Sequence, residues 1–266
     1  MKSSELKPSE LKNHDFSLVL SGGGALGIAH LGVLHDMEAL SLTPKEIIGT
    51  SMGGIIGACK AIGMKEPEIH EKLKAFSSLT KWMKFSLSGN AIIENSRIEQ
   101  IFSEIFGERT MTQTEIPLKL IATNLHDGNK RVFNAKDNIF IKDALLATMA
   151  IPGIFSEHEI GSKIYGDGFL CENLGVNEAK YDTLLAVDVL GKHSFESTMP
   201  DNFFKTANVL EMFERSMRLL IYNQTQTHLR CSAKEILLIE PATRSYKTYQ
   251  FHKIDEIRAL GLGLLQ

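Results

Sequence analysis

The residues best suited to chemistry surround Ser51. The run Gly49-Thr50-Ser51-Met52-Gly53 is a G-x-S-x-G pentapeptide between an apolar predicted strand and a predicted helix rich in small residues. At such a corner the serine hydroxyl is exposed as a nucleophile, and the helix N-terminus favours negative charge. Gly49 and Gly53 leave room for two backbones to pass closely. The pentapeptide also occurs as a plain tight turn, so other residues must decide between the two interpretations.

A glycine-rich loop, residues 21–27, lies about one helix before this serine. It follows an apolar run that predicts a strand at residues 16–20, and it precedes apolar residues at helical spacing from Ile28. Gly22, Gly24 and Gly27 match G-x-G-x-x-G. That pattern binds dinucleotides when an acidic residue ends the next strand and holds the ribose.

The next predicted strand ends at Ile48 and Gly49 without a carboxylate, which weighs against dinucleotide binding. Consecutive glycines such as Gly23 and Gly24 can instead present backbone N–H groups to a developing oxyanion. A serine nucleophile on the adjacent strand favours this oxyanion hole. Close packing alone stays a third explanation of the glycines.

Asp167 is the third candidate. It lies in Tyr165-Gly166-Asp167-Gly168-Phe169, at the end of a predicted strand over residues 160–166. A carboxylate within hydrogen-bond reach of a serine can accept the hydroxyl proton directly. An Asp-Gly pair is also an ordinary turn. Its catalytic role therefore depends on convergence with Ser51 and the glycine loop.

Both glycine motifs together, about one helix apart, resemble the patatin-like phospholipase family in its bacterial branch. Residues 147–155 are also similar to that family, where this loop lies beside the catalytic site. The resemblance implies a three-layer α/β/α sandwich with a mainly parallel sheet. It implies Ser51 as the nucleophile, Asp167 and its neighbour Gly168 as the second catalytic motif, and the N–H groups of Gly23 and Gly24 as the oxyanion hole.

Three positions depart from the family pattern. Leu26 stands where the family usually has Arg or Lys, which weakens the expectation of strong phospholipid headgroup recognition. Phe169 replaces the small residue that most often follows Asp-Gly, and Gly175 stands where the family tends to have proline.

A G-x-S-x-G elbow also belongs to α/β-hydrolases, in which a late histidine accepts the proton and an acid orients it. The histidines that follow Asp167 are His193, His228 and His252. Chain order alone does not exclude such a triad. The oxyanion glycines lie only one helix before the elbow, and His228 lies near the end of a long predicted helix, so we expect a direct Ser51–Asp167 dyad.

Composition excludes several other classes of protein. The chain has 266 residues, 29 Lys plus Arg, 32 Asp plus Glu and a formal net charge of −3, which gives no sign of a nucleic-acid partner. Cys59, Cys171 and Cys231 are far apart, so they predict neither a metal site nor a disulfide framework. No apolar run is as long as a membrane span. We expect a cytoplasmic protein without metal or cofactor, and peripheral membrane contact stays open.

We expect residues 1–15 to be a polar, loosely docked tail and residues 16–266 to form one domain. Residues 183–190 predict a buried strand, and residues 201–230 predict one long helix. The apolar stripe of that helix is expected to face the sheet; it comprises Phe203, Ala207, Leu210, Phe213, Met217 and Leu220. A second apolar cluster, Trp82 to Leu87, is either core or a cap that touches acyl chains or a membrane surface.

These observations predict a serine acyl hydrolase. The resemblance implies a lipid acyl ester as substrate, such as a phospholipid or lysophospholipid, and an acyl-enzyme intermediate. The alternatives are a Rossmann-type nucleotide-binding protein and a non-catalytic lipid-binding relative. The sequence leaves the headgroup, the cleaved position and the oligomeric state open.

Overall fold

The structure, a computed structural model, describes residues 6–74, 95–151, 158–195 and 206–266. In these residues eight strands form one sheet in the order β5-β6-β3-β2-β1-β7-β8, and β4 also pairs with β3. The strands are β1 Phe16–Leu20, β2 Glu46–Thr50, β3 Leu118–Asn124, β4 Lys130–Phe133, β5 His158–Ile160, β6 Lys163–Asp167, β7 Thr183–Val187 and β8 Glu235–Ile239. The strands β3, β2, β1, β7 and β8 are mutually parallel, whereas β4 and β6 each pair antiparallel with β3, and β5 pairs antiparallel with β6. The predicted mainly parallel α/β sheet is confirmed.

Helices cover both faces of the sheet. They are α1 Ala29–Ala39, α2 Ser51–Ala61, α3 Glu66–Leu73, α4 Asn95–Phe106, α5 Ile141–Met149, α6 Thr206–Cys231 and α7 Ile254–Ala259. Successive strand residues point to opposite faces. Leu18 and Ile47 therefore join the larger core cluster, and their neighbours Val19 and Ile48 join a second cluster across the sheet. Leu229 of α6 packs against that second cluster, which completes the three-layer arrangement.

The N-terminal segment differs from the predicted loose tail. Pro8–Asn13 forms a 3-10 helix. Leu6 and Leu11 are buried in the main core. The prediction is therefore wrong for residues 6–13, because two leucines among many polar residues are enough to pack the segment onto the domain.

The long helix α6 faces the sheet with a different side from the predicted one. Phe213 is 66% exposed and Leu220 is 63% exposed, whereas Arg218, Ile221 and Thr225 are buried. The apolar stripe was wrong at Phe213 and Leu220, because polar side chains of the helix hydrogen-bond to loops at the edge of the sheet. The predicted stripe residues at positions 203, 207 and 210 are not among the side chains that the structure describes.

The structure corrects the prediction for residues 160–166 and does not describe the cluster from Trp82 to Leu87. The single strand expected at residues 160–166 is a hairpin of β5 and β6, which turns at Gly161 with φ +66°. The cluster from Trp82 to Leu87 lies outside the described residues, so its role as a cap stays a prediction. Within the described ranges, no helix combines the length and apolar character that a membrane crossing requires.

Candidate active site

Ser51 lies at a strained corner between β2 and α2. Its φ of +52° is in the left-handed region, which is uncommon for a residue with a side chain and marks stored strain. The Ser51 N–H donates to Thr148 Oγ1 at 3.0 Å, and the Thr148 hydroxyl donates to the Ile121 carbonyl. Helix α5 and strand β3 therefore hold the corner in place.

The glycines of the pentapeptide are required by close backbone approach. A Cβ at Gly49 would lie 2.5 Å from Gly54 Cα, and a Cβ at Gly53 would lie 2.4 Å from the Leu20 carbonyl oxygen. Neither atom can yield without moving backbone. Gly49 thus lets α2 turn back tightly onto β2, and Gly53 lets α2 pass the end of β1, where the glycine loop begins.

The glycine loop begins directly beside Ser51. A Cβ at Gly22 would lie 3.1 Å from the Ser51 Cβ, and a Cβ at Gly27 would lie 2.5 Å from Met52 Cγ. Gly24 has φ +54°, and the next residue, Ala25, donates its N–H to the Thr248 carbonyl at 2.7 Å.

The backbone N–H groups of the oxyanion candidates Gly23 and Gly24 are unpaired in the described residues. Within the described ranges, their N–H groups donate to no acceptor. A backbone polar group usually finds a partner in a folded protein. Two unused N–H groups in a loop that begins beside a serine can therefore serve an incoming anion.

The register of the sheet brings Asp167 to the same place. Thr50, the residue before Ser51, pairs with Ile121 on β3, and the next β3 residue, Ala122, pairs with Asp167 on β6. The Asp167 side chain is completely buried. Gly168 must follow it, because a Cβ there would lie 2.3 Å from the Ile121 carbonyl oxygen.

The Asp167 carboxyl is incompletely satisfied. Its Oδ1 accepts the Phe169 N–H at 3.0 Å, and its buried Oδ2 has no hydrogen-bond partner in the described part of the chain. Burial raises the pKa of Asp167 to about 7, against smaller lowering by the Ser51 hydroxyl and the Phe169 N–H. The Ser51 hydroxyl therefore lies near the Asp167 carboxyl. The two groups do not form a hydrogen bond of normal distance and angle in the described residues. Such bonds often tighten only when substrate binds.

Three supporting residues were not among the site residues predicted from the sequence. Thr148, near the end of α5 and within the stretch that resembles the family, anchors the Ser51 N–H. Asn173 accepts the Gly22 N–H at 3.4 Å with its backbone carbonyl. His30 is buried with Nε2 2.8 Å from the Ser21 carbonyl, and burial lowers its pKa to about 4. A neutral His30 that donates from Nε2 therefore supports the start of the glycine loop.

The histidines considered for a triad form no recorded contact with Ser51 in the described residues. His193 and His252 are exposed. His228 Nδ1 lies 3.7 Å from Glu172 Oε1. In the described ranges, none of the three has a hydrogen bond or ion pair with Ser51 or Asp167.

No part of the described chain groups three or more His, Cys, Asp or Glu side chains as a metal site. All three cysteines are free thiols: Cys59 is buried, Cys171 is partly buried and Cys231 is exposed.

Two curated proteins show what this chain is similar to. An uncharacterised NTE-family protein of Mycobacterium tuberculosis is 28% identical over 185 residues, which cover 67% of this chain and 50% of that protein. Lysophospholipase NTE1 of Debaryomyces hansenii is 25% identical over 281 residues, which cover 95% of this chain and 18% of that protein. The chain therefore spans half or less of the length of these curated relatives.

Among solved structures, VipD from Legionella pneumophila matches 92% of this chain and 67% of its own, with a TM-score of 0.50 at 13% identity. This likeness concerns the fold alone. The family model described as patatin-like phospholipase matches residues 18–180, more than half of the chain. The chain belongs to the patatin-like phospholipase family.

Proposed function

We propose that this protein is a serine hydrolase of lipid acyl esters that works through a Ser51–Asp167 dyad. The observation that carries the proposal is the convergence of the strained Ser51 corner with the buried, incompletely satisfied Asp167 carboxyl. The free N–H groups of Gly23 and Gly24 add an oxyanion site in the same loop cluster. Family membership and the name of the lysophospholipase relative support a lipid ester as substrate.

The reaction would proceed in two halves. The Asp167 carboxylate accepts the Ser51 proton as Oγ attacks the acyl carbonyl carbon, and the N–H groups of Gly23 and Gly24 stabilise the tetrahedral oxyanion. Collapse of the intermediate breaks the ester bond, and the leaving alkoxide takes the proton from Asp167. Water then attacks the acyl-enzyme, giving its proton to Asp167, and the second collapse releases the carboxylic acid as Ser51 regains a proton.

A nucleotide-binding function receives no support at the relevant strand. Strand β2 ends at Thr50, and its only carboxylate, Glu46, lies at the opposite end. A non-catalytic lipid-binding protein would keep the fold without reacting at Ser51. A fluorophosphonate probe, which labels activated serines, distinguishes the hydrolase from both alternatives.

A fluorophosphonate adduct on the peptide that contains Ser51, found by mass spectrometry after proteolysis, is the expected result. Heat-denatured protein is the control, because it retains the hydroxyl but loses the site. Absence of any adduct on the folded protein would remove the hydrolase proposal. Incubation with a panel of phospholipids, lysophospholipids and acylglycerols would then identify the substrate.

Ester turnover is expected to rise with pH until about pH 7. Asp167 must be charged to accept the Ser51 proton, and burial raises its pKa to about 7. Below this pKa, kcat/KM should fall about tenfold for each pH unit, as the fraction of carboxylate falls. The measurement is p-nitrophenyl butyrate hydrolysis at constant ionic strength, read at the isosbestic wavelength of nitrophenol. A flat or falling profile across neutral pH would contradict a base with this pKa.

Gly24→Ala is expected to slow the chemical step. The new Cβ would lie 2.4 Å from the Thr248 carbonyl oxygen, so the loop must shift and its N–H groups must turn. Loss of one oxyanion donor costs on the order of 3 kcal/mol of transition-state stabilisation. Gly128→Ala is the matched control, since Gly128 has φ +73° and open space around it. Unchanged kcat in a folded Gly24→Ala protein would contradict the oxyanion role.

A further inference from the structure

A second serine–aspartate pair lies where β1 and β7 end. Ser21 directly follows β1, and Asp188 directly follows β7. The last residues of the two strands, Leu20 and Val187, are register partners, and the Ser21 N–H donates to the Val187 carbonyl at 3.1 Å. The Ser21 side chain is 0% exposed and that of Asp188 is 1% exposed. Neither side chain reaches solvent, so the pair does not meet a substrate directly.

The Asp188 carboxyl shapes the turn that follows β7. Its Oδ1 accepts the Leu190 N–H at 3.0 Å, and its buried Oδ2 has no hydrogen-bond partner in the described residues. Burial raises the pKa of Asp188 to about 7; the Leu190 N–H lowers it, Glu240 raises it and the Ser21 hydroxyl lowers it. The Ser21 hydroxyl therefore lies near this carboxyl. An incompletely satisfied buried carboxyl is costly, so its presence requires an explanation.

Ser21 joins this turn to the glycine loop. Its Oγ accepts the Val189 N–H at 3.0 Å, and its carbonyl oxygen lies 2.8 Å from His30 Nε2. The next residue is Gly22, whose N–H donates to the Asn173 carbonyl at 3.4 Å. The segment after β7 therefore holds Ser21 on one side and α1 holds it on the other, which fixes the first peptide of the glycine loop.

The turn after β7 also lies directly against the glycine loop. A Cβ at Gly23 would lie 2.5 Å from Val189 Cγ2 and 3.5 Å from Leu190 Cγ. The Val189 carbonyl accepts the Thr243 hydroxyl at 2.8 Å, so Val189 is held at both its N–H and its carbonyl. A shift of this turn would move Gly23. Oxyanion donors must lie about 2.7–3.1 Å from the developing charge, so a small shift weakens them.

We propose that Ser21 and Asp188 are positioning residues of the oxyanion hole, which they align through Val189 and Gly23. The proposal rests on the proposed hydrolase function. The pair is expected to matter for the transition state more than for substrate binding, because the tetrahedral oxyanion requires aligned N–H groups to a greater degree than the ground-state carbonyl does.

Asp188→Asn and Ser21→Ala test the two halves of the pair separately. Asparagine keeps the shape and can still accept the Leu190 N–H, but its amide donates where one carboxylate oxygen accepts. In each variant, kcat for p-nitrophenyl butyrate should fall about tenfold, a part of the 10²- to 10³-fold that loss of a whole oxyanion donor costs. KM should stay within about twofold of the native value. The double variant should be no slower than the slower single variant, since the two residues act as one unit.

Ser17→Ala is the matched control. Ser17 is buried on the same strand, and its hydroxyl donates to the Glu46 carboxylate at 2.9 Å. It lies near the start of β1, at the end opposite to the glycine loop. Loss of this buried hydroxyl should lower the melting temperature about as much as Ser21→Ala does and leave kcat unchanged. If both serine variants keep native kcat, the Ser21 hydroxyl has only a structural role and the proposal is overturned.

An inhibitor pair separates positioning of the oxyanion hole from general loosening of the site. An alkyl trifluoromethyl ketone forms a tetrahedral adduct with a serine nucleophile, and the methyl ketone of the same chain length stays trigonal. In Asp188→Asn, Ki for the trifluoromethyl ketone should rise about tenfold, in parallel with the fall in kcat/KM, and Ki for the methyl ketone should stay constant. Equal weakening of both inhibitors, or native kcat in either folded variant, would overturn the positioning role while the hydrolase function stands. A native chain with neither turnover nor a fluorophosphonate adduct would overturn the hydrolase function and the positioning role together.

Discussion

Replacing Asp167 by asparagine is expected to abolish nearly all ester turnover, whereas alanine at any one of the later histidines is expected to preserve most of it. Those histidines are His193, His228 and His252. Asparagine is close in shape to aspartate but cannot accept the Ser51 proton. General base catalysis contributes roughly 10²- to 10⁴-fold. The measurement is kcat/KM for an ester with each of the four purified variants.

The stability of Asp167→Asn shows whether its inactivity is local. Burial raises the pKa of Asp167 from an ordinary value of 3.8 to about 7. Between these values the folded state holds a proton that the unfolded state has lost, so the contribution of Asp167 to stability decreases as pH rises through this window. Above about pH 7 the native protein keeps a buried charge that asparagine removes. We therefore expect Asp167→Asn to melt no lower than the native protein at about pH 8.

The contrasting result would be one folded histidine variant as inactive as Asp167→Asn. It would indicate a triad, with the imidazole as the base. His228 is the most informative of the three, because it lies 3.7 Å from buried Glu172 and has a carboxylate that could orient it. Loss of activity together with a lowered melting temperature would instead reflect the loss of that contact.

Ser51→Ala is the second change with a very large expected effect. It removes the proposed nucleophile, and turnover should fall about 10⁴-fold or more, as it does when serine nucleophiles of hydrolases are removed. The fluorophosphonate adduct should disappear with it. The backbone bond from residue 51 to Thr148 Oγ1 stays available, since it uses only the main-chain N–H. The fold is therefore expected to survive.

Ser41→Ala is a matched control for this change. Ser41 has φ +55°, almost the φ of +52° at Ser51, but it is exposed in the turn before β2. Both variants place alanine in the same strained backbone region. Equal melting temperatures with activity lost in Ser51→Ala alone would show that the hydroxyl matters, rather than the backbone. Turnover in folded Ser51→Ala would end its assignment as nucleophile.

Much of the fold was predictable from the sequence because its signals are local. The apolar runs around Leu18, Ile48 and Leu185 are typical of strands buried on both faces, and the structure places them in the parallel part of the sheet. The glycines around Ser51 mark places where backbones cross, which are likewise set by short-range sterics. Asp167 was a candidate because an Asp-Gly pair ended a predicted strand and matched a family motif.

The surroundings of these residues depended on contacts between distant parts of the chain. Thr148 is 97 residues from Ser51, and no sequence pattern distinguishes its hydroxyl from those of other threonines. Complete burial of Asp167, which raises its pKa, follows from the pairing of β3 with β6. Helix α6 is a case in which a local pattern gave the wrong result. The apolar residues Phe213 and Leu220 were predicted to be buried but are exposed, whereas Arg218 is buried.

The sequence alone therefore determined which elements form and which residue types could carry an acyl transfer. Tertiary structure decided which of those residues meet, how dry their surroundings are and which side of α6 packs inward. The physical reason is range: backbone sterics and hydrophobic periodicity act over a few neighbouring residues, whereas burial and electrostatics sum over the whole surroundings of a group.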